Sequence, residues 1–149
     1  MRIRKLLLGL ALLALAGAAA FCVKELIDVR YPEYAVARLT VTADTAEVPV
    51  TIAGFDWDFA LGGEAHRPAP DVGEIYPAPA SLLGGETLSL VFSQPTLAIE
   101  VKRSESYSYS FYDINGDLTV PYDKGAYLYE VSAEYRQGRV LYYFYIMVE

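Results

Sequence analysis

The sequence predicts an all-β fold, an antiparallel β-sandwich preceded by one N-terminal hydrophobic helix. Three observations predict it: an uncharged apolar run near the N-terminus, short segments rich in β-branched and aromatic residues after it, and turn signals between those segments. The chain has 149 residues, of which 54% are hydrophobic and 13% aromatic, and a disordered chain does not have this composition. We expect residues 1–23 to be a targeting segment, residues 24–33 a linker and residues 34–149 one folded domain.

The N-terminus carries a targeting signature, because three basic residues precede residues 6–23, which contain no charge. A helix of this length spans about 27 Å, just enough to cross the hydrocarbon layer of a membrane. Residues 16–18 or 18–20 also offer small-residue sites for signal cleavage. Because the basic residues come first, we expect the C-terminal domain outside the cell membrane. It is either held by a single-pass anchor or secreted after signal cleavage.

Cys22 is the only cysteine, so no disulfide can form within the chain. Lipid attachment at Cys22 stays open as an alternative, although Phe21 stands where a lipoprotein signal has a small residue. The favoured interpretation is an inert cysteine at the outer end of the apolar run.

The part of the chain after the apolar run is strongly acidic. It holds all 19 Asp and Glu residues but only nine of the 12 Lys and Arg, which leaves a net charge of about −10. Nucleic acid is excluded as a partner, because binding phosphates requires a basic surface. An acidic surface of this kind mainly keeps a domain soluble, and it can also attract cations or basic partners.

The first half of the domain predicts three strands and a long loop. Residues 35–43 and 47–53 are expected to flank a turn at Asp44 and Thr45, and Pro49 predicts an edge or a bulge because proline lacks a ladder donor. Residues 54–60 form a short aromatic strand. Residues 62–85 are rich in proline and glycine, which predicts a long surface loop and a first place to look for a binding surface.

The second half alternates apolar and polar residues more regularly, which is typical of half-buried antiparallel strands. The predicted strands are residues 87–92, 97–102, 106–111, 127–135 and 140–148. Asn115 and Gly116 predict a two-residue hairpin turn into residues 117–120. Gln137 and Gly138 predict the turn between the last two strands.

One local motif refines the fold class. The pattern Asp123-x-Gly125-x-Tyr127-x-Tyr129 resembles the corner before strand F of immunoglobulin-like domains, where the tyrosine hydroxyl bonds to the preceding backbone. The resemblance implies an immunoglobulin-like sandwich with Asp123, Gly125 and Tyr127 as a structural tyrosine corner. In that fold Tyr129 would take the position of a disulfide cysteine, and Trp57 would supply the core tryptophan.

Three stretches carry a wider resemblance: Gly54-Phe55-Asp56-Trp57, Gly85-Glu86-Thr87-Leu88, and residues 125–131 with Tyr143-Phe144. They are similar to a group of small exported or membrane-anchored immunoglobulin-like β-domain proteins of Gram-positive bacteria, mostly of unassigned function. The resemblance implies a place at the cell envelope. It implies no catalytic residue.

The residues that carry enzyme chemistry are scarce. His66 is the only histidine, and the chain has no Gly-x-Ser-x-Gly motif, so neither a zinc site nor a serine triad is expected. The motif Asp113-x-Asn115-Gly116-Asp117 has the wrong spacing for a calcium loop and indicates a turn instead. Asp56 and Asp58 flank Trp57, and we interpret them as solvent-facing charges. We therefore predict no catalytic residue, no metal site, no cofactor and no enzyme activity.

The density of tyrosine near the C-terminus points to binding. Ten of the 13 tyrosines follow residue 106. On the last strand Tyr142 and Phe144 share one face and Tyr143 and Tyr145 the other, and a two-layer sandwich can hide only one set completely. Tyrosine is favoured at recognition surfaces, so Trp57, Tyr143 and Tyr145 are the predicted binding surface.

Two functions stay open from the sequence. The first is a non-enzymatic extracytoplasmic interaction module that contacts an envelope protein. The alternative is a domain that binds saccharide or cell-wall material through exposed aromatic rings. Fold analogy alone would also allow a proteinase-inhibitor-like role. Recognition by an edge strand would favour the first function, and a planar row of exposed aromatic side chains would favour the saccharide ligand.

Overall fold

The computed structural model describes residues 2–44, 46–71, 77–105, 108 and 110–149. It begins with a long helix, α1 (Arg2–Arg30), and a short helix, α2 (Pro32–Ala35). Residues 3–30 are long and apolar enough to span a membrane. The predicted linker, residues 24–33, is mostly helical, because nothing between Lys24 and Arg30 breaks a helix before Pro32. The helix therefore continues past its apolar run.

Ten strands lie in the described part of the chain, and most of them pair antiparallel. They are β1 (Leu39–Ala43), β2 (Ala46–Val48), β3 (Val50–Asp58), β4 (Glu64–Arg67), β5 (Ala80–Leu82), β6 (Leu88–Phe92), β7 (Ala98–Glu105), β8 (Tyr112–Asp113), β9 (Gly125–Tyr135) and β10 (Gly138–Val148).

The strands form two sheets of unequal size. The small sheet has the order β2-β1-β6, and the large sheet has the order β4-β3-β10-β9-β7-β8. β5 pairs parallel with the last residues of β10, beyond the point where β3 stops pairing. An apolar helix followed by two sheets packed as a β-sandwich confirms the predicted class at this coarse level.

The main core lies between the two sheets and is largely aromatic. Tyr129 of β9 stacks on Phe144 of β10, with ring centroids 4.6 Å apart. Trp57 of β3 meets Tyr135 edge to face at 5.5 Å. The side chains of Tyr129 and Phe144 are fully buried. Each buried aromatic ring removes a large apolar area from water, about 150–250 Å².

A second, smaller cluster covers the outer face of the large sheet. It contains Ala53, Leu128 and Tyr143, with Phe111 stacked on Tyr143 at 6.1 Å. The outer face of β10 is therefore partly covered: Tyr143 is buried there and Tyr145 is half-buried, so this second set of aromatic residues is less exposed than predicted, although it is not completely hidden. Phe111 lies far from β10 in the sequence, so alternation along β10 alone cannot reveal this cover.

The predictions for two proline-containing regions compare differently with the structure. Pro49 separates β2 from β3, which belong to different sheets, so the predicted break marks the residue at which the chain changes sheet. The predicted long loop, residues 62–85, contains β4 and β5, both short and paired at sheet edges. Residues 72–76 of that loop lie outside the described residues.

The region after β7 also departs from its prediction. Of the predicted strand 106–111, residues 106, 107 and 109 lie outside the described residues, and the others are not in a strand. Asn115 and Gly116 form the predicted turn, with φ values of 50° and 77°. Residues 117–120 do not complete a hairpin with β8, because Thr119 bridges to Thr87, ahead of β6. The turn thus carries the chain from the large sheet to the small one.

Candidate binding groove

The unequal sheets leave an open groove between two free strand edges. β6 is the edge strand of the small sheet. In the large sheet β8 pairs only with Lys102 and Arg103, so the first half of β7 has no neighbour on that side among the described residues. The groove between these two edges has a volume of about 750 Å³. We call it the β6–β7 groove.

Backbone hydrogen bonds show which groups of β6 point into the open side. The N–H of Leu88 donates 2.9 Å to Leu118, away from β1, and the N–H of Ser93 donates 2.9 Å to Arg38, towards β1. Peptide groups along an antiparallel strand alternate in direction. The N–H and C=O groups of Leu90 and Phe92 therefore point out of the free edge of β6.

The opposite edge of the groove has the same character. The carbonyl of Val101 accepts a 3.3 Å hydrogen bond from Ile114, on the side away from β9. By the same alternation, the backbone groups of Ile99 point away from β9 and have no partner strand in the described part of the chain. Two edges with unused hydrogen-bonding groups thus face one open space.

The side chains that line the β6–β7 groove are mainly apolar. Five of them lie on the core side of β6 or β7, and the sixth, Leu118, lies in the segment that hydrogen-bonds to the start of β6: Leu88, Leu90, Phe92, Ile99, Val101 and Leu118. Ile99 is 47% exposed. The predicted half-buried strand at residues 97–102 is therefore only partly covered, since three strands do not span the width of six.

The Asn115–Gly116 turn closes one end of the groove and is held by two aspartates. Oδ1 of Asp113 accepts 2.7 Å from the N–H of Asn115, and Oδ1 of Asp117 accepts 3.0 Å from the N–H of Thr119. The bond from the Thr119 backbone lowers the pKa of Asp117. These aspartates cap backbone groups, as the sequence indicated when it favoured a turn over a calcium loop.

A guanidinium surrounded by tyrosines lies beside the groove, farther along β7. Arg103 Nε donates 3.0 Å to the hydroxyl of Tyr112, which donates 2.8 Å to Glu105. The guanidinium carbon also lies 5.6 Å from the ring centroid of Tyr127 and 6.0 Å from that of Tyr129. Cation–π and hydrogen-bond contacts hold this arginine in place. These contacts already use the positive charge of Arg103, so we assign it a structural role and not a role in ligand binding.

Likeness to known proteins does not identify the groove. No family model, characterised protein or solved structure matches this chain. The resemblance to exported β-domain proteins of Gram-positive bacteria therefore stays a prediction, and so does the immunoglobulin-like topology. The function of the β6–β7 groove has to be inferred from its own geometry and charge.

Two of the three residues of the predicted aromatic binding surface are buried, contrary to the prediction. Trp57 is only 5% exposed and packs against Tyr135, and Tyr143 is only 3% exposed beneath Phe111. Tyr145 is half-buried beside Tyr143. The expectation of an exposed surface is wrong for Trp57 and Tyr143, because each face of the large sheet is covered where these rings lie. Tyr143 instead donates a 3.2 Å hydrogen bond to Glu130.

The predicted tyrosine corner has its expected hydrogen bond. The hydroxyl of Tyr127 donates 2.8 Å to the carbonyl of Asp123, and Gly125 begins β9 between them. This bond closes the turn that leads into the long strand. It is a structural contact and lies outside the β6–β7 groove.

The charged residues considered for chemistry pair with one another on the outer face of the large sheet. Asp56 pairs with His66 across β3 and β4, and both side chains are exposed. Asp58 is exposed. No group of three His, Cys, Asp or Glu side chains converges within the described residues. Asp56 and His66 thus form a surface pair.

Sequence reasoning missed the groove residues Leu90, Phe92 and Ile99. The alternation of apolar and polar residues predicts strands with one apolar face. It does not show whether a second sheet covers that face. What exposes them is that residues 117–120 reach only the beginning of β6. The Asn115–Gly116 turn was the one local signal, since a hairpin that pairs elsewhere leaves an edge open.

Proposed function

We propose that this protein is a membrane-anchored, non-enzymatic interaction module that binds an extended peptide segment of an envelope protein in the β6–β7 groove. One observation carries the proposal: the outward N–H and C=O groups of Leu90 and Phe92 border an open apolar groove. An extended peptide recognises such an edge by adding a strand to the sheet, while its alternate side chains enter the groove.

The chemistry of the groove defines the peptide. Leu90, Phe92 and Ile99 favour apolar side chains at alternate positions. Among the described residues, the charged ones at the groove are Glu100 and Asp113, and Glu100 is already paired with Lys102 at 3.2 Å. With the strongly acidic domain around it, this leaves the groove more attractive to neutral or basic peptides than to acidic ones.

Retention of α1 as a single-pass anchor is part of the proposal. α1 runs unbroken through both candidate cleavage sites, and its last turns contact the domain through Glu25 and Val29. The basic residues before the apolar run favour a domain outside the cell membrane. We also infer an immunoglobulin-like sandwich, which the hydrogen bond from Tyr127 to Asp123 supports.

The saccharide alternative has less support. It required a planar row of exposed aromatic rings, and both Trp57 and Tyr143 are buried. The exposed tyrosines in the described part of the chain lie apart: Tyr31 and Tyr34 are at α2, Tyr112 of β8 is bonded to Arg103, and Tyr122 is beside Gly85. A groove lined by leucine, isoleucine and one phenylalanine suits an apolar side chain better than a sugar ring.

Selection from a displayed library of linear peptides tests the proposal, with the full chain held in detergent micelles. We expect the selected peptides to alternate apolar with neutral or basic residues. Ile99→Asp should abolish their binding, because it places a charge in the apolar groove. Isotope-edited NMR should show the amides of Leu90 and Phe92 shifting when the peptide binds.

Val91→Asp is the matched control. Val91 is 58% exposed on the opposite face of β6, so this variant adds the same charge outside the groove. It should bind the selected peptides as the unmodified chain does. Peptides that bind equally well to Ile99→Asp, or a library that yields no binder to the folded chain, would refute peptide binding in the β6–β7 groove.

A further inference from the structure

The end of α1 docks onto one tip of the domain. The N–H of Leu61 donates a 3.1 Å hydrogen bond to Oε1 of Glu25. Val29 lies so close to Gly63 that a Cβ added there would come within 2.5 Å of it. Leu61 and Gly63 belong to the turn between β3 and β4, residues 59–63, which we call the β3–β4 tip. The carboxylate of Glu25 is thus buried against a strand turn.

Positions along α1 give the height of these contacts above the apolar run. Glu25 lies about 3 Å beyond Val23 along the helix axis, and Val29 lies about 9 Å beyond it. The headgroup layer on each side of the hydrocarbon core is about 5–7 Å thick. From Gly63, beside Val29, to Leu61, beside Glu25, the tip therefore descends towards the membrane and reaches the depth of the headgroups.

The side chains of the β3–β4 tip suit this position. Leu61 is 59% exposed, and its neighbours Ala60 and Gly62 are exposed and uncharged. A single exposed leucine needs no explanation on a soluble surface. Leu61 differs from an ordinary exposed leucine because its backbone N–H donates to Glu25, in the helix turn that follows the apolar run. An apolar side chain at that depth gains by entering the interfacial layer.

A second turn lies at the same end of the domain. The N–H of Asp58 donates 2.7 Å to the carbonyl of Gln137, which joins the β9–β10 turn to the end of β3. Arg136, on that turn, lines one cleft with Glu25 and Asp28 and is exposed. A cation beside the headgroup layer favours contact with lipid phosphates.

We propose that the β3–β4 tip is a membrane-contact element that places Leu61 in the interfacial layer of the bilayer that α1 spans. The inference rests on the proposed anchoring of α1. Together with the hydrogen bond to Glu25, this contact holds the domain in one orientation on the membrane surface, with Arg136 facing the headgroups.

Spin labels on the full chain test the contact in vesicles of equal parts phosphatidylcholine and phosphatidylglycerol. In a Cys22→Ser background, nitroxides are attached to Leu61→Cys, Leu83→Cys and Leu13→Cys separately. Leu83 is the matched control, because it is 70% exposed and follows β5, which pairs with the far end of β10. That end lies roughly 33 Å from the start of β10. The label at position 13 reports whether α1 spans the bilayer.

We expect oxygen to reach the label at position 61 in clear preference to a water-soluble nickel reagent, whereas the label at position 83 shows no such preference. Equal accessibility at positions 61 and 83, with position 13 in the hydrocarbon, would overturn the membrane contact and leave the anchor standing. A water-accessible label at position 13 would overturn both. Peptide binding in the β6–β7 groove is measured independently, so its failure stays distinguishable.

The emission of Trp57 checks that each labelled chain is folded. A label at Ala60, which is also exposed, repeats the measurement one residue away. The conclusion then does not depend on replacing Leu61. If the β3–β4 tip contacts the bilayer, the labels at positions 60 and 61 should both be protected from the nickel reagent. Protection at neither position would reject the contact.

Discussion

Buried tyrosine hydroxyls in this domain differ in whether a partner satisfies them. Tyr142 donates 2.7 Å to the carbonyl of Ala37. Because its proton is used there, Tyr135 must be the donor in the 2.9 Å bond to Tyr142. The hydroxyl of Tyr129 is also buried and makes no hydrogen bond of good geometry among the described residues, although it lies close enough to the Arg103 guanidinium for that cation to oppose the rise in its pKa. Burial raises the pKa of both Tyr142 and Tyr129.

Removing one hydroxyl at a time should separate the two cases. Tyr142→Phe leaves the Ala37 carbonyl and the Tyr135 hydroxyl without their partner, so we expect the free energy of unfolding to fall by about 1–3 kcal/mol. Tyr129→Phe removes a buried hydroxyl that has only a poorly formed contact with the Arg103 guanidinium, so it should lower stability clearly less than Tyr142→Phe does. Urea unfolding of both variants measures this difference. Equal losses for the two variants would contradict it.

At the scale of elements, two of the turns that contain a glycine with positive φ differ in their surroundings. Gly138 begins β10 with φ 148°, and a Cβ there would come within 1.9 Å of the carbonyl oxygen of Asp56. That contact arises because Gly138 pairs with Trp57, which brings β3 directly against it. Gly116 also has a positive φ, 77°, but no atom of the described residues lies within 4 Å of the position its Cβ would take.

Alanine at the two glycines should therefore have unequal costs. We expect Gly138→Ala to lower the free energy of unfolding by roughly 2–4 kcal/mol, because backbone strain adds to a collision with a neighbouring strand. Gly116→Ala carries the strain alone and should cost about 1–2 kcal/mol. Thermal unfolding followed by circular dichroism compares them. A larger loss at Gly116 would show that the approach of β3 to Gly138 is not tight.

Elements fixed by local chemistry could be predicted, and those fixed by distant partners could not. The β9–β10 hairpin and the bond from Tyr127 to Asp123 follow from residues adjacent in the sequence. Pro49 likewise predicts the break between β2 and β3, because proline lacks the N–H that a strand ladder needs. The cover that Phe111 places over Tyr143 depends on a contact across 32 positions of the sequence, which alternation does not encode. The groove depends on where residues 117–120 pair, which the Asn115–Gly116 turn alone does not determine.

At the scale of the whole molecule, one end of the groove and the end of α1 lie at the same end of the sandwich. Gln94, just after β6, lines a cleft with Glu25, and Ala98 of β7 pairs with Glu134, next to the β9–β10 turn. The turn at Asn115 closes the opposite end of the groove. The open end of the β6–β7 groove therefore lies towards the end of α1. With α1 as the proposed anchor, a peptide that enters there would come from a membrane-proximal segment of its own protein.

The whole domain should lose stability in alkaline solution through its buried tyrosines. Burial, and then the charge of Glu130, raises the pKa of Tyr143 from 10.0 to about 12. The folded state holds this proton more tightly than the unfolded state, so its contribution is fully present below pH 10 and is lost as the pH rises to about 12. Tyr129, Tyr135 and Tyr142 have pKa values raised in the same direction.

Tyr143→Phe isolates one of these groups. Between pH 10 and 12, the free energy of unfolding of the variant should fall less steeply than that of the unmodified chain, by at most about 1.4 kcal/mol per pH unit, since one titrating proton is removed. Near neutral pH the two chains should show the same slope, because the tyrosine keeps its proton in both states. Urea unfolding at a series of pH values provides the measurement. Parallel curves above pH 10 would mean that Tyr143 ionises as freely in the folded domain as in the unfolded chain, which its cover by Phe111 argues against.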